Sequence, residues 1–145
     1  MGALLTIDAS VFVASYRTQE PSCAISRELL RLVREADAPL IEPAILPVEI
    51  AAALTRVGEN PAWASEYAES VMALPYLSLL PLDERMIQRA LAVAVQCRLR
   101  GADALYIAVA IHYGAHLVTL DREQLRRAPV TVHACKPEEA TALLK

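Results

Sequence analysis

The sequence lacks the residue patterns that mark several large classes of protein. Only two of its 145 residues are lysines, and it has neither a G-x-G-x-x-G pattern nor a P-loop. This argues against phosphate binding by a glycine-rich loop. No serine stands in a G-x-S-x-G elbow, and no H-E-x-x-H pattern is present. The sequence therefore gives no support to a serine hydrolase or a zinc protease.

Cysteines are few, and long apolar runs are missing. The three cysteines are odd in number and have no C-x-x-C spacing, so we expect reduced thiols in a cytoplasmic protein. No run is apolar and long enough to cross a membrane, and no segment resembles a signal peptide. We therefore expect a cytoplasmic protein with no membrane contact.

Charge and hydrophobic content set two further limits. The net charge of −3 argues against a nucleic-acid-binding field over the whole surface, but it allows a local basic rim. Hydrophobic residues make up 55% of the chain and charged residues 21%. This surplus predicts that apolar side chains cover a partner or a second copy. Without a linker or repeat, residues 1–145 are expected to form a single domain.

The apolar periodicity predicts alternating strands and helices along the whole chain. Strands are expected at residues 4–7, 40–41, 77–80, 117–120 and 130–133, as short buried runs. Helices are expected between them, among them one that Asp103 opens and Gly114 closes. The order β-α-α-β-α-α-β-α-α-β-α-β predicts an α/β fold with a parallel sheet and right-handed crossovers.

Four acidic residues stand apart from the solvated charges. Asp8 and Asp121 follow predicted strands, Asp103 opens a helix, and Glu49 lies on a helix face with apolar neighbours. Because such positions meet at the carboxyl edge of a parallel sheet, we expect the four side chains to converge. Each also has a structural interpretation: a turn residue at Asp8, helix caps at Asp103 and Asp121, and an ion pair between Glu49 and Arg56.

Convergence of these acids would predict a metal site. Crowded carboxylates repel one another, and a hard divalent cation such as Mg²⁺ resolves that repulsion. Such a cation activates water and stabilises displacement at phosphorus. Arg122 and Arg126, beside the last acid, either contact phosphates as a rim or form a solvated helix face.

Four segments of the chain resemble the signature segments of a known family. They are LLTIDASVFVA (4–14), ILPVEIAAALTR (45–56), GADALYIAVAIHYGA (101–115) and LVTLDREQL (117–125). In this order and spacing they look like PIN-domain ribonucleases, and most like the VapC-type toxins of toxin–antitoxin pairs. The resemblance covers nearly the whole chain.

The resemblance implies a fold, a cofactor, partners and a set of site residues. The fold would be a three-layer parallel five-stranded sheet with helices on both faces. The protein would be a homodimeric endoribonuclease that uses Mg²⁺ or Mn²⁺ to hydrolyse RNA and is blocked by a cognate antitoxin. By motif match, its metal-binding and catalytic acids are Asp8, Glu49, Asp103 and Asp121. Ser10 and Thr119 would support them.

Three other functions remain open at this stage. A PIN-domain nuclease could serve in RNA processing outside a toxin pair, and a non-catalytic acidic module could bind a metal or a partner without turnover. A phosphotransferase or receiver-like domain would also gather acids at a sheet edge. It would need an acidic pair after the first strand or a D-x-D motif, and Asp8-Ala9-Ser10 provides neither.

Overall fold

The computed structural model of the protein describes residues 3–145, which form five strands and eight helices. The predicted domain of residues 1–145 thus includes two residues, Met1 and Gly2, that lie outside the described range. The strands are β1 (Leu5–Ile7), β2 (Leu40–Pro43), β3 (Leu77–Leu80), β4 (His116–Val118) and β5 (Ala134–Cys135). The helices are α1 (Ala9–Tyr16), α2 (Cys23–Glu35), α3 (Leu46–Arg56), α4 (Pro61–Met72), α5 (Glu84–Cys97), α6 (Gly101–Tyr113), α7 (Arg122–Arg127) and α8 (Pro137–Leu143).

All five strands run parallel, in the order β3-β2-β1-β4-β5. The chain extends the sheet from β1 through β2 to β3 and then returns to the other side of β1 for β4 and β5. The order therefore changes direction between β1 and β4, and in such sheets the crevice beyond the carboxyl ends of these two strands is the usual ligand site. The predicted α/β fold and the predicted order of the elements are confirmed.

Helix α6 has the longest run of buried residues among the helices. Its eight consecutive residues from Asp103 to Ala110 are all buried, and it packs against β1, β2, β4 and α5. A helix that is apolar on all sides gains stability only from such enclosure. It begins at Gly101, two residues earlier than predicted, so Asp103 lies in its first turn and Arg100 is its N-cap. Asp103 is therefore held in place by a helix that is fixed on several sides.

The last strand is the one element that was predicted in the wrong place. Residues 130–133 do not form it: Val130 is fully exposed in a turn, and β5 begins only at Ala134. Helix α7 ends at Arg127, and the chain must then return along the sheet before it can pair in parallel with β4. The β-branched residues of 130–132 lie on that return path, and this requirement overrides their strand propensity.

The cysteines and the apolar side chains of the described chain differ in how far they are buried. Cys23 and Cys135 are buried free thiols, and Cys97 is a partly buried one. Among residues 3–145, no helix has both the length and the apolar character that crossing a membrane requires. Several large apolar side chains remain exposed on α5, among them Leu91 and Val95.

The enclosure of α6 predicts a large energetic cost for a cavity there. Ile107 is 0% exposed, so Ile107→Ala should lower the free energy of unfolding by roughly 2–5 kcal/mol. Val130→Ala is the control, because its side chain is fully exposed and its loss should change stability by less than about 0.5 kcal/mol. Urea denaturation of both variants measures the difference. Equal midpoints would contradict the central position of α6.

Candidate active site at the carboxyl edge of the sheet

Asp8 directly follows β1 and therefore lies at the carboxyl edge of the sheet. It follows Ile7 and is the N-cap of α1, because its Oδ2 accepts a hydrogen bond from the Ser10 backbone N–H at 3.0 Å. The residue is only 6% exposed. Burial raises the pKa of its carboxyl group, while hydrogen bonds from Ser10 and Gln124 oppose that rise. Asp8 therefore both caps a helix and presents a carboxylate at the switch point.

Asp103 and Asp121 are joined by one arginine. The Arg100 Nε donates to Asp103 Oδ2 at 3.2 Å, and its terminal nitrogen donates to Asp121 Oδ2 at 3.0 Å. The other oxygen of Asp121 caps α7 by accepting from the Glu123 N–H at 2.7 Å. The Arg100 side chain is 75% exposed, so the guanidinium reaches these acids from the solvent side. The helix-cap interpretation thus holds for Asp121, while its second oxygen faces the site.

Glu49 approaches the same place from α3. It is half-buried, and burial raises the pKa of its carboxyl group, with a further rise from the negative charges of Asp8 and Asp103. The nearby hydroxyl of Tyr106 opposes this shift in the pKa of Glu49. This hydroxyl is buried and makes no hydrogen bond of good geometry with any described residue. Within residues 3–145 no ion pair joins Glu49 to Arg56. Its apolar helix face therefore places this acid in the site and not in a surface ion pair.

Ser10 and Thr119 tie the acid-bearing loops to one another. The Ser10 hydroxyl accepts from the Leu120 N–H at 3.1 Å, which joins the start of α1 to the loop after β4. The Thr119 hydroxyl accepts from the Asp121 N–H at 3.0 Å and lies 3.4 Å from Asp8 Oδ2. Thr119 is fully buried. These two hydroxyls fix the backbone that carries Asp8 and Asp121.

The four predicted acids line a single open cleft of about 570 Å³. The cationic side chains in its wall are Arg56 and Arg100. Arg122 and Arg126, the predicted rim, do not line it, and Arg126 pairs with Glu123. The lining acids are Asp8, Glu49, Asp103 and Asp121, together with Glu20.

Gln124 is a site residue that the sequence analysis missed. It is 0% exposed, and its Nε2 donates to Asp103 Oδ1 at 2.8 Å and to Asp8 Oδ1 at 3.1 Å. One sequence signal pointed to it: an acid N-cap followed three residues later by Gln has the spacing of a capping box, which places Gln124 in the first turn of α7. Its side chain instead turns to two acids from distant parts of the chain.

Glu42 is a second acid that was missed. It lies on β2, is 0% exposed, and both its oxygens accept from the Ile7 N–H, at 2.9 and 3.1 Å. Burial raises the pKa of Glu42 well above its usual value of 4.5, and the neighbouring Asp8 charge adds to this. An acid inside an otherwise apolar strand was the available signal. Its bonds connect β2 to the residue that precedes Asp8.

The chemistry of the cleft fits a hard divalent cation. Carboxylate oxygens and hydroxyls are the ligands that Mg²⁺ and Mn²⁺ prefer. As they stand, no three Asp, Glu, His or Cys side chains of residues 3–145 surround one point closely enough to hold an ion. Arg100 and Gln124 donate hydrogen bonds to oxygens of Asp8, Asp103 and Asp121, and each ionised carboxylate has further acceptor sites. The donor set therefore fits such an ion.

Comparison with known proteins assigns the chain to a family. The PIN domain sequence profile matches residues 5–130. Similar solved structures include PAE2754 from Pyrobaculum aerophilum, with 24% identity, a TM-score of 0.71, and coverage of 98% of this chain and 89% of that one. VapC20 of Mycobacterium tuberculosis, a sarcin-ricin loop cleaving toxin, has 15% identity, a TM-score of 0.72, and coverage of 89% and 98%. FitAcB from Neisseria gonorrhoeae has 19% identity, a TM-score of 0.67, and coverage of 92% and 98%. No curated protein matches the sequence significantly.

The burial of Glu42 predicts a pH dependence of stability. Because its folded-state pKa is raised, its contribution is fully present below the unfolded pKa and is lost as pH rises through the folded value. Glu42→Gln retains an acceptor for the Ile7 N–H but cannot ionise. Between about pH 5 and about pH 8, the variant should therefore lose less stability than the wild type. Denaturant titrations across this range measure the effect.

The exposed Glu66 provides the control for this experiment, since Glu66→Gln removes the same charge from the surface of α4. Its stability should follow the wild-type pH curve. If Glu42→Gln also runs parallel to the wild type at every pH, the Glu42 carboxyl has no raised pKa in the folded state.

Proposed function

Because the chain belongs to the PIN domain family, we propose that it is an endoribonuclease dependent on Mg²⁺ or Mn²⁺, and that it acts as the toxin of a toxin–antitoxin pair. One observation carries the proposal: four acids from separate parts of the chain line one cleft at the switch point of a parallel sheet. Solved structures with this fold include a toxin that cleaves the sarcin-ricin loop, which supports RNA as the substrate.

Each acid has a proposed role. Asp8, Asp103 and Asp121 would hold the cation, and Glu49 would position the cation or a water molecule. When bound, such a cation polarises the phosphate and lowers the pKa of water, so that water attacks phosphorus at neutral pH. Glu49 suits this positioning role because it is half-buried and lines the cleft together with the other three acids.

Arg100 is proposed to leave its two acidic partners during catalysis and to contact the phosphate of the substrate. Its guanidinium pairs with Asp103 and Asp121, two of the proposed cation ligands, so cation binding there would release it. The side chain is 75% exposed and lies at the cleft, where it would contact phosphate oxygens of RNA. Arg56 in the same wall would assist. Arg122 and Arg126 remain predicted contacts on the outer rim.

The proposed partners are a cognate antitoxin and a second copy of the chain, in the cytoplasm. The support for a homodimer is an exposed apolar stripe on α5. Ile87, Leu91 and Val95 are 48%, 63% and 72% exposed. They recur every four residues and so lie on one side of the helix. A stripe of this kind is typical of a surface that packs against another protein.

The nuclease proposal predicts the effect of removing one charge. Asp8→Asn keeps the size of the side chain but removes a charge that the cation needs. Mg²⁺-dependent RNA cleavage should fall by more than the roughly 10–100-fold that loss of an outer-shell partner causes. Circular dichroism should show an intact fold. Asp83→Asn is the matched control: Asp83 caps α5 away from the cleft, and asparagine caps equally well.

Two results would contradict the proposal. Undiminished cleavage by Asp8→Asn protein would remove Asp8 from the site. A wild-type protein that cleaves no RNA with either ion would leave a non-catalytic acidic module as the better interpretation.

The α5 stripe predicts the oligomeric state. Light scattering at micromolar concentration should give twice the 15.8 kDa mass of one chain. Leu91→Glu should shift the protein towards the single-chain mass, because it places a charge within the apolar stripe. Val130→Glu, an exposed change in the turn before β5, should leave the dimer intact. A single-chain mass for the wild type over the whole range would overturn the dimer.

A further inference from the structure

We propose that Gln124 is a positioning residue that fixes the separation of the Asp8 and Asp103 carboxylates. This inference rests on the proposed function, since it assigns Gln124 a task toward the cation that these acids would hold. The Gln124 Nε2 donates to Asp103 Oδ1 at 2.8 Å and to Asp8 Oδ1 at 3.1 Å. One amide group thus joins acids that are 95 positions apart in the sequence, at the start of α1 and in the first turn of α6.

The orientation of the Gln124 amide follows from its surroundings. The residue is 0% exposed, and its Oε1 is buried without a hydrogen-bond partner among the described residues. The oxygens of an ionised carboxylate accept hydrogen bonds and cannot donate them. A rotated amide would therefore point the Gln124 Oε1 at two other acceptors. The side chain therefore leaves one polar atom unsatisfied, a costly arrangement in a protein interior, and gains two charge-assisted bonds with the other.

The main chain of Gln124 adds a third acid to this arrangement. Its backbone N–H donates to Asp121 Oδ1 at 3.2 Å. Gln124 thus touches three of the four acids, two through its side chain and one through its backbone. Arg100 also links Asp103 to Asp121, but from the solvent side and with a largely exposed side chain. Gln124 is a fully buried residue, and it contacts the carboxylates of three acids from separate parts of the chain.

A neutral amide suits a positioning role toward a cation. A buried lysine or arginine here would neutralise the carboxylates and compete with a metal ion for them. The amide donates hydrogen bonds but leaves the negative charge of both acids in place, and each ionised carboxylate has about four acceptor sites. Outer-shell donors of this kind orient the ligands of metal sites. Gln124 thus holds two acids in place without using up the charge that a cation requires.

The test is Gln124→Met, which keeps the length and volume of the side chain but removes both donors. Calorimetric titration with Mn²⁺ should show affinity weakened by roughly 10–100-fold relative to the wild type. The control is Gln88→Met on the exposed surface of α5, which should bind Mn²⁺ as the wild type does. Unchanged affinity in Gln124→Met would reduce Gln124 to a core-filling residue. Tighter binding would show that the amide competes with the ion, and either result overturns the proposal.

A second measurement tests the Gln124 bridge, which is the pair of hydrogen bonds from its amide to Asp8 and Asp103. It needs no metal, so failure of the bridge can be told apart from failure of the nuclease proposal. In NMR spectra of the metal-free wild type, the side-chain NH₂ of Gln124 should exchange slowly with solvent. Asp103→Ala removes its closer acceptor and should shift this resonance and speed its exchange, while the NH₂ of Gln88 stays unchanged. An unmoved Gln124 resonance would overturn the bridge, even if the wild type binds Mn²⁺ and cleaves RNA. A moved resonance would support it, even if Gln124→Met fails to fold.

Discussion

Mutual repulsion among carboxylates is the constraint on which the rest of the site depends. Four acids line one cleft, and burial raises the pKa of Asp8, with a smaller rise from the charge of Asp103. Like charges in such a setting cannot all ionise cheaply without donors or a cation nearby. The described chain provides donors of several kinds: backbone N–H groups at two helix starts, the Thr119 hydroxyl, the Gln124 amide and the Arg100 guanidinium. These hydrogen bonds therefore offset part of the repulsion between the acids.

The fold contributes to this arrangement by fixing the position of the backbone that carries each acid. β1 and β4 are neighbours of only three residues each, and they end at the point where the strand order reverses. α6, which carries Asp103, is enclosed along eight residues, and so it can hold a carboxylate against repulsion from its neighbours. Sites built on rigid elements keep their geometry better than sites on free loops. The deep burial of α6 is thus as important to the site as the acids themselves.

The sequence indicated the acids better than it indicated what holds them. Asp8 and Asp121 could be predicted because each follows a buried apolar run, and Glu49 because its helix neighbours are apolar. Gln124 and Glu42 were missed because burial of a polar side chain depends on partners far away in the chain, and periodicity carries no information about those partners. The last strand was placed too early for a related reason. Local β-propensity at residues 130–132 competed with the path that the chain needs to return along the sheet, and the tertiary requirement prevailed.

Arg100 and Gln124 differ in how easily each can leave the acids to which it donates. Arg100 is charged and largely exposed, so water can solvate its guanidinium when it leaves Asp103 and Asp121, and the cost of release is low. Gln124 is neutral and fully buried, so its amide would lose two bonds on leaving and find no replacement. If the acids held a cation, Arg100 would therefore be the donor that leaves them and Gln124 the donor that stays. The result would be a site whose inner geometry stays constant while its outer charge becomes free to meet a phosphate.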